Sequence, residues 1–326
     1  MVTNDGLKRS HDLQTVIDLP SHHQEKGNDV TGIQGKGKAL FALWAGVILW
    51  ASSFVALKIA FVHFDPMVVI FGRMFIASLC FLFVFKSLRH IDYHTGDWKR
   101  LLFMGVCEPG FYFVFEAMAL THTDASQAGM ICALLPLMVA VVARFTLGER
   151  ISRRTLSGFC LAIAGAIILS AAASSTTTAP NPVLGNFFEF MAMICAAGYM
   201  ITLKGLTPRY NPWFLTMVQA FIGSLFYFPL LFIPSTTLPT EFPLPGVLAI
   251  LYLGIFVTIT AYGLYNYGMS KISASQASAF INLIPVITLF FGWFFLNERL
   301  NMVQYAASAI VIAGVYLSQD KTTVSE

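Results

Sequence analysis

Ala125-Ser126-Gln127-Ala128 returns 149 residues later as Ala274-Ser275-Gln276-Ala277. At the same offset Pro136 returns as Pro285, Glu149-Arg150 as Glu298-Arg299, and Ala164-Gly165 as Ala313-Gly314. Upstream the offset is 146: Leu57-Lys58 matches Leu203-Lys204, and Phe64-Asp65-Pro66 matches Tyr210-Asn211-Pro212. The chain is a duplication, and reading it as two copies decides how everything else in it is read.

Of the 326 residues, 56% are hydrophobic and 11% charged, with 30 Phe, against roughly 25% charged in a soluble domain. So much apolar surface exceeds what one soluble core can hide, and lipid is the expected solvent. A net charge of +3 is too small to point to nucleic acid. Cys80, Cys107, Cys132, Cys160 and Cys195 all fall in apolar runs without metal or redox spacing, so they are expected to be small core residues. Residues 1–38 are polar and lack the apolar run of a cleaved signal peptide; a mobile cytoplasmic tail is expected there.

Runs of about 20 apolar residues predict spans near 39–60, 66–86, 98–120, 125–146 and 155–173, then 183–204, 212–234, 244–269, 275–296 and 301–318. Pro66 and Pro212 open their helices, where the missing N–H costs nothing. The expected organisation is a tail (1–38), a five-helix repeat (39–173), an extracytoplasmic linker (174–182), a second five-helix repeat (183–318) and a short cytoplasmic tail (319–326). Lys and Arg set the orientation. With the N-terminus inside, the inner segments hold nearly all of them, among them Lys86, Arg89, Lys99, Arg100, Arg153, Arg154, Lys204, Arg209 and Lys271. The outer loops hold Arg299, with Lys58 at the outer end of the first span. The expected fold is therefore an all-α membrane protein of ten transmembrane helices with both termini cytoplasmic. Five is odd, so the second copy enters the membrane in the opposite sense, which makes an inverted repeat.

These residues resemble the drug/metabolite transporter superfamily, specifically its ten-helix EamA-type members. The resemblance covers about 39–318 and rests on Trp50-Ala51-Ser52-Ser53-Phe54 through Lys58, on Arg73, and on the doubled Ala-Ser-Gln-Ala … Pro … Glu-Arg block. It implies a two-fold bundle around a central substrate cavity, and the export of small metabolites or amphipathic compounds. The four-helix small multidrug resistance proteins look like half of this architecture. Their first-helix Glu, eight residues before a Lys, falls here on Trp50 and on Ala196, neither of which carries a proton.

An ionisable group inside the bilayer costs about 2.5–3.5 kcal/mol on insertion scales, so each asks for a role. Glu108, near the middle of span three and followed by Pro109, reads as a substrate-binding or proton-carrying carboxylate, or as a structural one. Arg73 and Glu116 fall at similar depth on adjacent spans and are expected to form an ion pair, either joining helices or acting as a gate. Glu108 and Glu116 lie about 80° apart around one helix and share a cavity side. Trp50, Tyr112, Tyr265, Asn266 and Asn282 complete the expected substrate-binding set, since aromatic walls with few polar groups suit organic ligands. Glu189 has no sequence partner. Lys58 and Lys204 are expected to be anchors, snorkelling to headgroups. Pro136 and Pro285 are expected to kink their spans. Gly158/Gly165 and Ala307/Gly314, seven apart, are expected to bring spans five and ten together within one chain, or else to join two chains. The Glu-Arg pairs are expected to satisfy helix ends.

The expected function is a secondary active transporter of a small organic metabolite, an amino acid or amphipathic compound, working by alternating access, as an exporter in a bacterial plasma membrane. Import or exchange by the same fold is the alternative. His63, His90, His94 and His122 are scattered, so no metal or other cofactor is expected, and a membrane enzyme is disfavoured. The expected partners are a small-molecule substrate and the lipid bilayer, with no nucleic acid, and the chain is expected to be a monomer or homodimer.

Overall fold

The computed structural model describes residues 25–88, 93–146, 152–272 and 274–318. Among them every regular element is helical. The helices are numbered here as α1 (Glu25–His63), α2 (Pro66–Leu88), α3 (Asp97–Leu120), α4 (125–146), α5 (Arg153–Ala171), α6 (Pro182–Leu206), α7 (Pro212–Tyr227), α8 (Leu244–Lys271), α9 (274–296) and α10 (Met302–Ser318). Among the described residues α1–α9 are long and apolar enough to cross a membrane. α10 is apolar but has 17 residues, about 25 Å at 1.5 Å per residue, slightly short of a ~30 Å hydrocarbon core.

Helix starts follow local chemistry. Asp65, Asn181 and Asn211 each precede a proline, and each accepts from a backbone N–H two or three residues on, at 2.9–3.2 Å. Asn301 and Gln304 cap one another reciprocally at 2.9 Å, an arrangement of capping-box type. One expectation fails at the start of the chain. The tail expected over 1–38 is helical from Glu25, since extending a helix already nucleated by the apolar span is cheap; residues 1–24 and the tail 319–326 lie outside the described residues.

The strongest helix contacts form a two-fold set. α2 packs on α7, α4 on α9 and α5 on α10, each pair made of equivalent helices, while α3 packs on α6 just as α8 packs on α1. Ser78 and Ser224, equivalent at the 146 offset, hydrogen-bond each other at 2.9 Å. α5 and α10 meet backbone to backbone, as their small residues predict. A Cβ on Gly158 would stand 2.5 Å from Gly314 O, and one on Gly165 would stand 3.0 Å from Ala307 O.

Both paired prolines interrupt their helices. Cys132–Leu134 precedes Pro136 and Phe280–Leu283 precedes Pro285, each as a 3-10 turn, because a mid-helix proline removes one i→i−4 bond. The other predicted anchors hold in altered form. Lys58 Nζ donates to Thr178 O at 2.7 Å, and Lys204 Nζ to Met269 O and Ile272 O at 2.9 and 2.7 Å. Both tie down carbonyls of the protein. Glu298 does satisfy a helix end, but that of α4 in the other repeat: its carboxylate accepts from Ala125 N, Ser126 N and Ser126 Oγ at 2.9, 2.8 and 2.6 Å. Its copy Glu149-Arg150 lies outside the described residues. Of the cysteines only Cys132 is buried, and Cys160 is exposed. In a bundle solvated by lipid an apolar run need not face inward, which is why the expectation of five core cysteines fails.

Candidate functional site

The site is built around two broken helices. In α3 the segment Val106–Phe111 is π-helical and Glu108 has extended backbone angles (φ −148°, ψ 115°). In α8 the equivalent segment Leu253–Ala261 is also π-helical. Breaks of this kind leave carbonyls without intrahelical donors, which is tolerated at membrane depth only where protein supplies partners. The opposite repeat does so. Gln219 Nε2 donates to Glu108 O at 3.0 Å, and the Tyr227 hydroxyl donates to Pro109 O at 3.2 Å and to Gly110 O. On the other side Arg73 Nε donates to Thr258 Oγ1 at 3.0 Å, which itself donates to Leu253 O at 2.9 Å. Arg73 of α2 and Gln219 of α7 are copies, each reaching the π segment of the opposite half.

Between these breaks lies a narrow cavity of about 30 Å³, room for about two waters, so an organic molecule enters it only when the walls move apart. Its polar lining is Trp50, Ser53, Arg73, Glu108, Tyr112, Glu116, Cys132 and Tyr262; Phe54, Phe113, Met193, Met200, Ile281 and Ile284 supply apolar surface. Each carboxyl takes a phenol: Tyr262 donates to Glu108 Oε1 at 2.5 Å and Tyr112 to Glu116 Oε1 at 3.1 Å. Glu108, Glu116 and Arg73 are 4%, 4% and 1% exposed, so the charges sit out of water, where pairing decides their cost.

The cavity thus gathers Trp50, Arg73, Glu108, Tyr112 and Glu116 from the predicted set. The predicted Arg73–Glu116 ion pair is not formed; among the described residues the ion pair is Arg209–Asp97, at 2.8 Å. Arg73 turns instead toward α8, with its guanidinium carbon 4.3 Å from the Phe113 ring centroid. Tyr265, Asn266 and Asn282 do not line the cavity. Tyr265 packs behind it, its ring 4.4 Å from that of Trp50. Asn266 is fully engaged, accepting from Tyr199 at 2.5 Å and donating to Thr216 and Gln219 at 3.0 and 3.2 Å. Asn282 sits on the 3-10 turn of α9, both amide atoms without partners. Depth along a span placed these residues at the right level, but depth does not say which way a side chain faces.

Tyr262, which shares the depth of Tyr112 and Tyr265, and Cys132 also line the cavity, although neither belongs to the expected substrate-binding set. Tyr262 is the copy of Phe113, and that hydroxyl difference between repeats was the available signal. Cys132 looked like core, yet its thiol reaches Glu189 Oε1 at 3.4 Å. Glu189 is fully buried, and its Oε2 has no partner.

Residues 37–171 and 183–319 each match the EamA-like transporter family. The chain belongs to that family. The two matched segments are the two repeats, so this EamA protein carries the family domain twice, in a multi-pass membrane transporter. An uncharacterized transporter of Archaeoglobus fulgidus is 27% identical over 83% of this chain and 95% of its own length. A probable terminal-alkyne amino-acid exporter of Streptantibioticus cattleyicolor is 24% identical over 87% of this chain. A protein crystal structure with 19% identity superposes with a TM-score of 0.61 over 86% of this chain and 96% of its own, which speaks to the fold.

Proposed function

We propose that this EamA protein is a secondary active exporter of a small organic metabolite, with ten spans in two inverted repeats and both termini cytoplasmic, in a bacterial plasma membrane. The observation that carries the reading is the cavity between two broken helices of opposite repeats, lined by buried ionisable groups. Inverted repeats that exchange conformations open such a cavity alternately to either side. The amino-acid exporter among its relatives supports export and a substrate of that size.

Cys132 is a native reporter, since its thiol lines the cavity. In a variant whose other four cysteines are replaced by serine, membrane-impermeant thiol reagents should label Cys132 from each side of the membrane. Labelling from one side alone, under every gradient applied, overturns alternating access. Coupling is assigned to Glu108, the cavity carboxyl held by Tyr262. Reconstituted Glu108→Gln protein that keeps full transport driven by a pH gradient removes that assignment.

A further inference from the structure

One charged donor in the cavity has no acceptor within the protein. The Nε of Arg73 is held by Thr258, its planar group lies over Phe113, and Nη1 is buried without a partner. Glu108 and Glu116 are nearby but form no ion pair with it, and each accepts from a tyrosine instead. A second donor, Trp50 Nε1, lines the same cavity and is also buried without an acceptor. Neither group can accept a hydrogen bond, so only an acceptor relieves them, and only an anion also offsets the guanidinium charge. A guanidinium edge matches a planar oxyanion such as a carboxylate.

Resting on the transport reading above, we propose that the transported molecule carries a carboxylate bound by Arg73 Nη1 and Trp50 Nε1, so that organic acids and zwitterions are carried in preference to organic cations. The rest of the wall matches the remainder of such a molecule in chemistry. Phe54, Met193, Met200 and Ile281 offer an apolar seat, and the Glu108 and Glu116 carboxyls face any ammonium group. The copy of Arg73 is Gln219, whose amide is engaged at both ends. Anion binding therefore belongs to one repeat only.

The test uses matched trios on the purified full chain, followed by thermal unfolding. L-phenylalanine and L-leucine are compared with their decarboxylated amines, phenethylamine and isoamylamine, and with the acids lacking nitrogen, 3-phenylpropionate and 4-methylpentanoate. Ligands that prefer the folded site raise the midpoint. The expected result is a shift with the carboxylate-bearing members of a trio and none with the amine. Arg73→Gln should remove the shift, and Trp50→Phe, which keeps the ring packing, should weaken binding by roughly tenfold, the loss of one charge-assisted bond. Trp50→Phe keeps the test decisive if Arg73→Gln does not fold.

Equal or larger shifts with the amines overturn the proposal, as does the absence of a shift with every carboxylate. Chloride and inorganic phosphate shifting the midpoint as much as the organic acids also overturns it, leaving a site for small inorganic anions. Cys132 labelled from both sides in a protein stabilised by amines alone would end this assignment and leave the transport reading standing.

Discussion

Arg73 and Gln219 occupy the same seat in the two repeats, and the contrast between them separates scaffold from chemistry. Both reach across to the π-helical break of the opposite half, Arg73 to Thr258 and Gln219 to the carbonyl of Glu108. The neutral amide completes its bonding there, whereas the guanidinium is left with a free donor in the cavity. The same holds for the buried carboxyls in and beside the cavity. Glu108, Glu116 and Glu189 have Val257, Tyr265 and Leu43 as copies. Backbone breaks, helix pairings and small-residue contacts are shared between the halves, and the buried charged groups around the cavity are not. On the transport reading proposed above, symmetric positions build the frame and asymmetric ones select what it holds.

The frame should be the easier part to break. Gly158→Leu forces a side chain into the Gly314 backbone, where even a Cβ would stand 2.5 Å from an oxygen. It should cost about 3 kcal/mol or more, read as a collapse of Tm and of the monodisperse fraction on size exclusion. Gly205→Ala, where a Cβ meets nothing within 4 Å, should leave both unchanged or slightly improved. A Gly158→Leu protein as stable as the parent would mean that the α5–α10 contact does not hold the halves together.

Next in size is the cap that Glu298 places on α4 across the repeat boundary. Glu298→Gln keeps the shape but loses the charge that faces two backbone N–H groups and a hydroxyl. A loss of about 1–2 kcal/mol is expected, measured as a lower Tm and as faster hydrogen exchange at Ala125 and Ser126.

Replacing an asymmetric residue by its copy should act in the opposite direction. Glu189→Leu installs the residue that the first repeat carries, and it removes a buried oxygen without a partner. Stability should rise by about 1 kcal/mol, seen as a higher Tm. A fall would show that Glu189 holds α6 in place.

The smallest effect concerns the two ends. Where α3 begins, Asp97 binds Arg209 at 2.8 and 3.0 Å and Tyr210 at 2.7 Å. The copies at the opposite end, Gly246, His63 and Phe64, include no carboxylate and lie in close contact. Burial and the bond to Asp97 push the Tyr210 phenol up to about 12. The folded state therefore favours the neutral phenol. Its contribution is intact below the ordinary tyrosine value near 10 and is lost as pH rises from about 10 to 12. Tyr210→Phe should lower Tm slightly at neutral pH and flatten the alkaline decline. An unchanged alkaline slope would remove Tyr210 from that balance.

The cavity was half legible in the sequence. Trp50, Glu108 and Glu116 announce themselves because a charge or an indole at mid-depth is costly or out of place wherever it faces. Asn266 and Tyr265 share that depth and yet serve packing, since their neighbours Tyr199, Thr216 and Gln219 come from α6 and α7, far away in the chain. The Arg73–Glu116 pair failed for the same reason: adjacent spans at equal depth make a pair possible, but Tyr112 and Thr258 compete for the two groups and hold them.

The sequence alone determined the duplication, the apolar spans and the small-residue faces of α5 and α10, because composition and local spacing dictate them: a run of apolar residues must seek lipid, and a glycine face must seek a close neighbour. Only the tertiary structure decided which buried polar groups satisfy one another. Many of those bonds join residues distant in the chain, as Tyr262 to Glu108 and Gln219 to the Glu108 carbonyl do, and a difference of one helical face separates a cavity-lining group from a packing group. Arg73 Nη1, one of the donors left over from that settlement, is visible as such only when all its competitors are in place.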